Sequence, residues 1–237
     1  MMSYNPWPIG ALPQGFAREE LETLRSLDYE FADPREIISI FENKLAAYAG
    51  CKYAAVVDCA SNGIFLSLKY RNSTGTIQIP RNTYISIPMQ IYHAGCSVQL
   101  IDKKWSGVYE LGTTEIFDSA ARFTKDMFVG GENSLQVLSF QIKKRLPIGK
   151  GGAILTNSAE AYNWIKKASY DGRDLLTPYD SETHVTSIGW HMYMTPEDAA
   201  RGIILMDKLG EFTFPDVANH ESYPDITQWL HRIGIIA

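Results

Sequence analysis

The sequence predicts an α/β fold: a three-layer sandwich in which a mostly parallel central sheet carries helices on both faces. Three observations predict it. Short apolar runs recur along the chain, at Tyr53–Val57, Thr76–Ile79, Ser97–Ile101, Thr114–Phe117, Leu135–Phe140 and Ala153–Thr156. Stretches with apolar residues at helical spacing lie between or beside most of them. Proline or aspartate closes several of the runs, and alternation of this kind marks strand–helix–strand units.

Taken in order, residues 1–32 read as an N-terminal arm followed by a polar helix. Met1–Phe16 is punctuated by proline and glycine and is expected to run extended, with the helix over Arg18–Leu27. Asp33-Pro34 reads as an N-cap with proline at the first helical position, and Glu36 falls three residues after the cap. Ile37, Ile38, Phe41, Leu45 and Tyr48 then share one helical face, and Gly50 supplies the stop. The first strand, Tyr53–Val57, leads to a helix over Asn62–Tyr70. The second, closed by Pro80, leads to a helix over Thr83–Ala94. The third and fourth end in Asp102 and Asp118. Two later helices are expected over Ala159–Tyr170 and Pro196–Leu209. The remainder, Glu211–Ala237, has room for a short helix near Ser222–Ile233 but too little mass for a second domain. Residues 1–237 therefore read as a single α/β domain with a remnant C-terminal segment.

Composition narrows the function classes. Of 237 residues 45% are hydrophobic and 21% charged, which is ordinary for a globular chain. The net charge of −5 argues against nucleic acid as the main partner, because duplex binders carry a basic excess. Cys51, Cys59 and Cys96 form no Cys-x-x-Cys pair and read as reduced thiols rather than a disulfide framework. No secretion signal is visible in Met1–Gly10, and no apolar run reaches the ~18–20 residues that span a bilayer. A cytoplasmic protein with no membrane contact is the expectation. The five histidines lack metal-ligand spacing, so no metal is expected. Gly149-Lys150-Gly151-Gly152 leads into a strand, whereas dinucleotide and P-loop motifs lead into a helix. A hydrolase elbow, Gly-x-Ser-x-Gly, is absent.

What remains is a set of residues at strand ends, where open α/β sheets place their ligands. After the first strand, Asp58-Cys59-Ala60-Ser61-Asn62-Gly63 enters a helix, whose N–H groups and positive dipole end suit an anion. After the second come Thr83 and Tyr84, the latter able to stack on an aromatic ring. The fourth ends in Asp118. The fifth runs into Ser139-Phe140-Gln141-Ile142-Lys143-Lys144-Arg145-Leu146 and the glycine-rich return. An anion cradle, a stacking ring, a carboxylate and a lysine are what pyridoxal 5'-phosphate requires.

On these residues the sequence resembles the DegT/DnrJ/EryC1/StrS sugar aminotransferases, a branch of the fold-type I pyridoxal-phosphate enzymes. Phe41-Glu-x-x-Leu45-Ala-x-Tyr48-x-Gly50-x-x-Tyr53-Ala resembles the family's opening helix and strand. Pro80-x-x-Thr83-Tyr84 is similar to its segment with the stacking aromatic. Ser139-Phe140-x-x-x-Lys144-x-Leu146-x-x-Gly149-x-Gly151-Gly152 resembles its lysine motif and is the most specific match, while Gly189-x-x-x-x-Met194, Asp198-Ala-Ala and Leu209 resemble its later helix. The resemblance implies Lys144 as the Schiff-base lysine and Asp118 as the pyridine partner. It implies Tyr84 on the ring, Ala60, Ser61 and Ser139 at the phosphate, and a homodimer in which Gly189-Trp190-His191 reaches the second protomer's phosphate. The implied reaction moves an amino group from glutamate to a keto-sugar on a nucleoside diphosphate.

The chain departs from the family's pattern at Ala121, where glutamine is usual, at His191 for asparagine and at Tyr193 for a basic residue. Only Lys103–Phe117, fifteen residues, separate Asp102 from Asp118, where the family inserts a further strand–helix unit. Most of the family's C-terminal small domain is also missing, so this reads as a shortened member. Two other functions stay open on the sequence: a cofactor enzyme acting on small amino and keto acids, and a binding protein that keeps the fold without turnover.

Overall fold

The computed structural model describes residues 18–176, 185–209 and 218–237. The expected extended arm Met1–Phe16 and His184 lie outside the described residues.

The chain folds as an α/β sandwich around a mixed sheet. Seven strands, β1 (Tyr53–Val57), β2 (Thr76–Pro80), β3 (Ser97–Ile101), β4 (Tyr109–Glu110), β5 (Ile116–Asp118), β6 (Leu135–Ser139) and β7 (Gly152–Thr156), form two sheets. The larger has the order β1-β7-β6-β5-β4, and β2 pairs with β3 in a second. Within the larger sheet β5 and β6 are parallel, whereas β7 runs against both neighbours and β4 runs against β5. Strands β1, β5 and β6 thus share one direction. The link from β6 to β7 contains no helix, and a return without a crossover brings β7 back antiparallel. The smaller sheet is parallel and meets the larger through Gly112, whose N–H donates to the Gln78 carbonyl at 2.8 Å.

Side-chain alternation along the strands builds the layers. Ala54 and Val56 of β1, Leu138 of β6, and Ala153 and Leu155 of β7 face one core. That core is closed by α1 (Glu19–Ser26), α2 (Glu36–Ala49) and α6 (Pro196–Leu209) through Leu24, Ile37, Phe41, Leu45 and Ile203. Their neighbours Ala55, Val57, Val137 and Ile154 face the other core. There α3 (Ala60–Tyr70), α4 (Ser86–His93), α5 (Ala159–Ala168) and α7 (Thr227–Arg232) supply Ile64, Leu66, Ile91, Ile165 and Leu230. Each strand buried on both faces reads as a continuous apolar run, and for that reason β1 stood out in the sequence.

One local signal acts as expected and one falls short of the helix: α2 begins at Glu36 with Arg35 at its cap position, two residues later than Asp33-Pro34 implied. Asp33 Oδ1 accepts from the Arg35 N–H at 2.9 Å, and Glu36 reaches back to the Asp33 N–H at 3.4 Å, so capping occurs in the turn just before α2 begins. Gly50 ends α2 at φ 75°, in the left-handed region that costs glycine nothing. A buried charge ties three elements together. Glu42 of α2, 2% exposed, accepts from the Val56 N–H of β1 at 2.9 Å, and from Tyr162 Oη at 2.9 Å and Lys166 Nζ at 2.7 Å on α5.

Candidate active site

The strand ends open into a cavity of ≈ 600 Å³. Its first wall is the turn from β1 into α3. Cys59 caps the helix, its sulfur accepting from the Asn62 N–H, so α3 starts at Ala60 rather than at Asn62. Ala60 and Ser61 occupy the first turn and line the cavity. Ser61 Oγ lies 2.7 Å from Ser86 Oγ, which joins this wall to α4. Gly152 lets β7 pack closely against the start of this helix: a Cβ there would sit 2.6 Å from the Ala60 nitrogen and 2.7 Å from the Leu138 oxygen.

Asp118, the last residue of β5, is 7% exposed and lies on the floor. Its Oδ1 accepts from the Ala120 N–H at 2.9 Å, and its Oδ2 from Tyr109 Oη at 2.9 Å. Burial pushes its carboxyl above the ordinary carboxylate range, while the Ala120 N–H, the Tyr109 hydroxyl and the Lys144 charge pull it back.

Lys144 enters from the β6–β7 loop and lines the same cavity. The loop is pinned by buried Phe140, Leu146 and Ile148, by the Lys144 N–H on the Gln141 carbonyl at 2.7 Å, and by the Gly149 N–H on the Phe140 carbonyl at 3.0 Å. Burial lowers the Lys144 amine below the usual lysine value, and the Asp118 charge partly restores it. Exposure separates the adjacent lysines: Lys144 is half-buried and Lys143 is exposed. An amine with a lowered pKa and a buried carboxylate facing one cleft is an arrangement suited to nucleophilic and proton-transfer chemistry.

Six of the seven residues singled out in the sequence line this cavity: Ala60, Ser61, Tyr84, Asp118, Ser139 and Lys144. Tyr84 is 57% exposed at its rim. His191 does not line it. It pairs with Tyr170 by a backbone bridge, and its Nδ1 lies 3.1 Å from Asp171 Oδ2 on an exposed surface. Ala121 forms part of the wall near Asp118. Sequence reasoning missed Tyr109, Trp105 and Tyr223. Trp105 packs between the other two at tilted angles, with ring centroids 5.0 and 5.4 Å away, and all three line the cavity. The C-terminal segment brings Tyr223 there through backbone bonds from Gly107 to Ala218 and from His220 to Trp105. Only the aromatic spacing Trp105-x-x-x-Tyr109 could have drawn notice, and that pattern alone is nonspecific.

The raised Asp118 carboxyl has a consequence for stability. A group whose folded-state pKa exceeds its unfolded value binds more protons when folded, so its contribution is present below the unfolded value of 3.8 and lost as pH rises through the folded value. Asp118→Asn in cofactor-free protein is therefore expected to be at least as stable as wild type at neutral pH. It should also flatten the decline in melting temperature above pH 4. Melting curves across that range check both.

A mixed α/β sheet with a half-buried lysine and a buried aspartate in one strand-end cavity defines a protein of the pyridoxal-phosphate transferase fold. The sequence model of the DegT/DnrJ/EryC1/StrS aminotransferase family matches residues 116–234, and the chain belongs to that family. Pyridoxal phosphate is the cofactor of this class. Solved structures share the fold. A putative PLP-dependent aminotransferase from Bacillus cereus is 18% identical with a TM-score of 0.62, covering 80% of this chain and 62% of its own. DesI, in the presence of its TDP-sugar product, is 17% identical with a TM-score of 0.58, covering 80% and 57%. NtdA from Bacillus subtilis, with bound cofactor PMP, is 16% identical with a TM-score of 0.61, covering 81% and 52%. The chain thus spans less than two thirds of the length of these proteins. No curated protein matches it in sequence. Among the described residues no helix is long and apolar enough to cross a membrane.

Proposed function

We propose that the protein is a pyridoxal-phosphate-dependent aminotransferase that moves an amino group, with glutamate as donor, to a keto-sugar carried on a nucleoside diphosphate. The observation that carries this reading is the placement of Lys144 and Asp118 in one cavity beside the N-terminus of α3. The residues present fit the cofactor. Gly152 lets backbone approach closely where α3 begins, so that Ala60 and Ser61 line the cavity, and Asp118 is a buried acid held by two donors. The cavity also has room for a ring and a substrate portion. Family membership and the TDP-sugar product recorded with DesI support the substrate class.

In this reading the first turn of α3, with Ala60, Ser61 and Ser139, holds the phosphate. Tyr84 stacks on the ring, and Asp118 keeps a proton on the ring nitrogen. Lys144 Nζ would hold the cofactor at its aldehyde, and the same amine would take up the proton from the donor's α-carbon. When bound, the cofactor supplies an electron-accepting ring and a temporary carrier for the amino group. Gly189, Trp190 and His191 line no part of this cavity, with Trp190 half-buried against Phe65 and His191 exposed, and in this reading the segment reaches the phosphate of a second protomer in a homodimer, a cytoplasmic enzyme working without metal, membrane or nucleic acid.

The test is spectroscopic. Adding pyridoxal phosphate should produce a visible band, glutamate should convert it to the pyridoxamine form, and a keto-sugar nucleotide should restore it. Restoration by free keto acids alone would replace the sugar assignment with small-acid chemistry. Absence of any band would remove the reading altogether.

A further inference from the structure

Strand β4 has only two residues, yet its pairing with β5 places Tyr109 directly opposite Asp118. Tyr109 is 4% exposed, and its hydroxyl meets two polar partners, Asp118 Oδ2 at 2.9 Å and Thr83 Oγ1 at 2.5 Å. The donor order follows from the chemistry. An ionised Asp118 can only accept, so Tyr109 gives it its one proton and must itself accept from the Thr83 hydroxyl. The chain of hydrogen bonds runs Thr83 to Tyr109 to Asp118, from the loop after β2 to the floor of the cavity. Its members are all buried, where such bonds are strongest and an unmade one costs most.

We propose that Tyr109, oriented by Thr83, is a positioning residue that keeps Asp118 ionised and fixed at the cavity wall for its contact with the ring nitrogen of the cofactor. The proposal rests on the reading of Asp118 given above. A carboxylate removed from water favours its neutral form, and a neutral acid could not hold a proton on a pyridine. The groups that face Asp118 are few: the Ala120 N–H, the Tyr109 hydroxyl, the Lys144 amine, and Tyr223, whose own ionisation the Asp118 charge opposes. Of these, Lys144 becomes an uncertain source of charge once its amine is bonded to an aldehyde. The Ala120 N–H and the Tyr109 hydroxyl are then the donors that remain, and only the second can be removed by substitution without altering the backbone.

The variants are conservative. Tyr109→Phe keeps the ring against Trp105 and deletes one oxygen, and Thr83→Val deletes the oxygen behind it. The first measurement uses cofactor-free protein with ¹³C-labelled aspartate, the Asp118 carboxyl signal being assigned by its loss in Asp118→Asn. In Tyr109→Phe its titration midpoint should rise by about one to two pH units, the worth of a hydrogen bond to a charged group. In Thr83→Val it should rise less and in the same direction. The second measurement is pyridoxal-phosphate affinity against pH. Its acid limb should move upward by the same amount in each variant, with affinity unchanged at high pH where Asp118 is ionised in all forms. A merely structural role would weaken affinity uniformly and leave the limb in place. An unmoved midpoint in both variants would overturn the proposal. A moved midpoint in a protein whose wild type takes up no cofactor at any pH would instead overturn the functional reading, and the role of Tyr109 toward the ring with it.

Discussion

Lys144→Ala should lower the rate of amino transfer by about 10²–10⁴-fold, the range lost when a positioned acid–base group is removed. The protein should stay folded. The loop that presents Lys144 is held by Phe140, Leu146 and Ile148 and by main-chain bonds, none of which the alanine removes. The half-buried amine is kept basic by Asp118 but less so than a solvated lysine, so a neutral nucleophile is available at lower pH. Lys143→Ala is the matched control: one residue away, exposed and at the rim of the cavity, it should change the rate only a few-fold. Lys144→Arg keeps the charge and cannot act as the nucleophile, so it should fail as Lys144→Ala does. Single-turnover measurements with glutamate separate this chemistry from product release. A Lys144→Ala protein that transfers at the wild-type rate would end the assignment.

Glu42→Ala should destabilise the fold by about 3–5 kcal/mol, the cost of breaking a buried ion pair from one side. The carboxylate is 2% exposed and takes three donors, so its loss strands the Val56 N–H, the Tyr162 hydroxyl and the Lys166 ammonium together. Burial and the Glu42 charge raise the Tyr162 hydroxyl far above its usual range, so it stays a donor at any working pH. The three donors belong to β1 and α5, and the first of them lies just before the turn into α3 that walls the cavity. Loosening here should therefore also weaken cofactor affinity. Urea unfolding with an unchanged slope would report the loss cleanly. Glu42→Gln, which keeps the acceptor and drops the charge, should lose less. A loss under about 1 kcal/mol for Glu42→Ala would mean that water takes the place of the carboxylate.

Much of this architecture could be read before any coordinates. Strands β1 and β3 and helix α6 fall where the apolar pattern placed them: β1 is buried on both faces, β3 starts with exposed and buried residues in alternation, and α6 is a long amphipathic helix. The cavity residues were legible through their order: each lies at the end of a strand or in the segment after it, and an open sheet gathers such positions at one edge. Three things were not legible. Strand direction is not encoded in hydrophobicity, so the antiparallel return of β7 was invisible. Strand β4 is shorter than any period, which hid Tyr109 and its pairing opposite Asp118. The start of α3 depends on the Cys59 sulfur accepting from the Asn62 N–H, an unusual cap that moved the helix two residues toward the site. His191 shows the limit of motif transfer. A motif fixes its position in the chain, and the fold places its side chain on an exposed surface beside Asp171, outside the cavity.

The central claim is that Lys144 and Asp118 share one cofactor. The most direct measurement is to load the wild-type protein with pyridoxal phosphate, reduce it with borohydride and map the modified peptide, with Asp118→Asn beside it. The account predicts label confined to Lys144 and a much weaker hold on the cofactor in Asp118→Asn. Label spread over exposed lysines such as Lys143 and Lys150, with Lys144 unmarked, would contradict it.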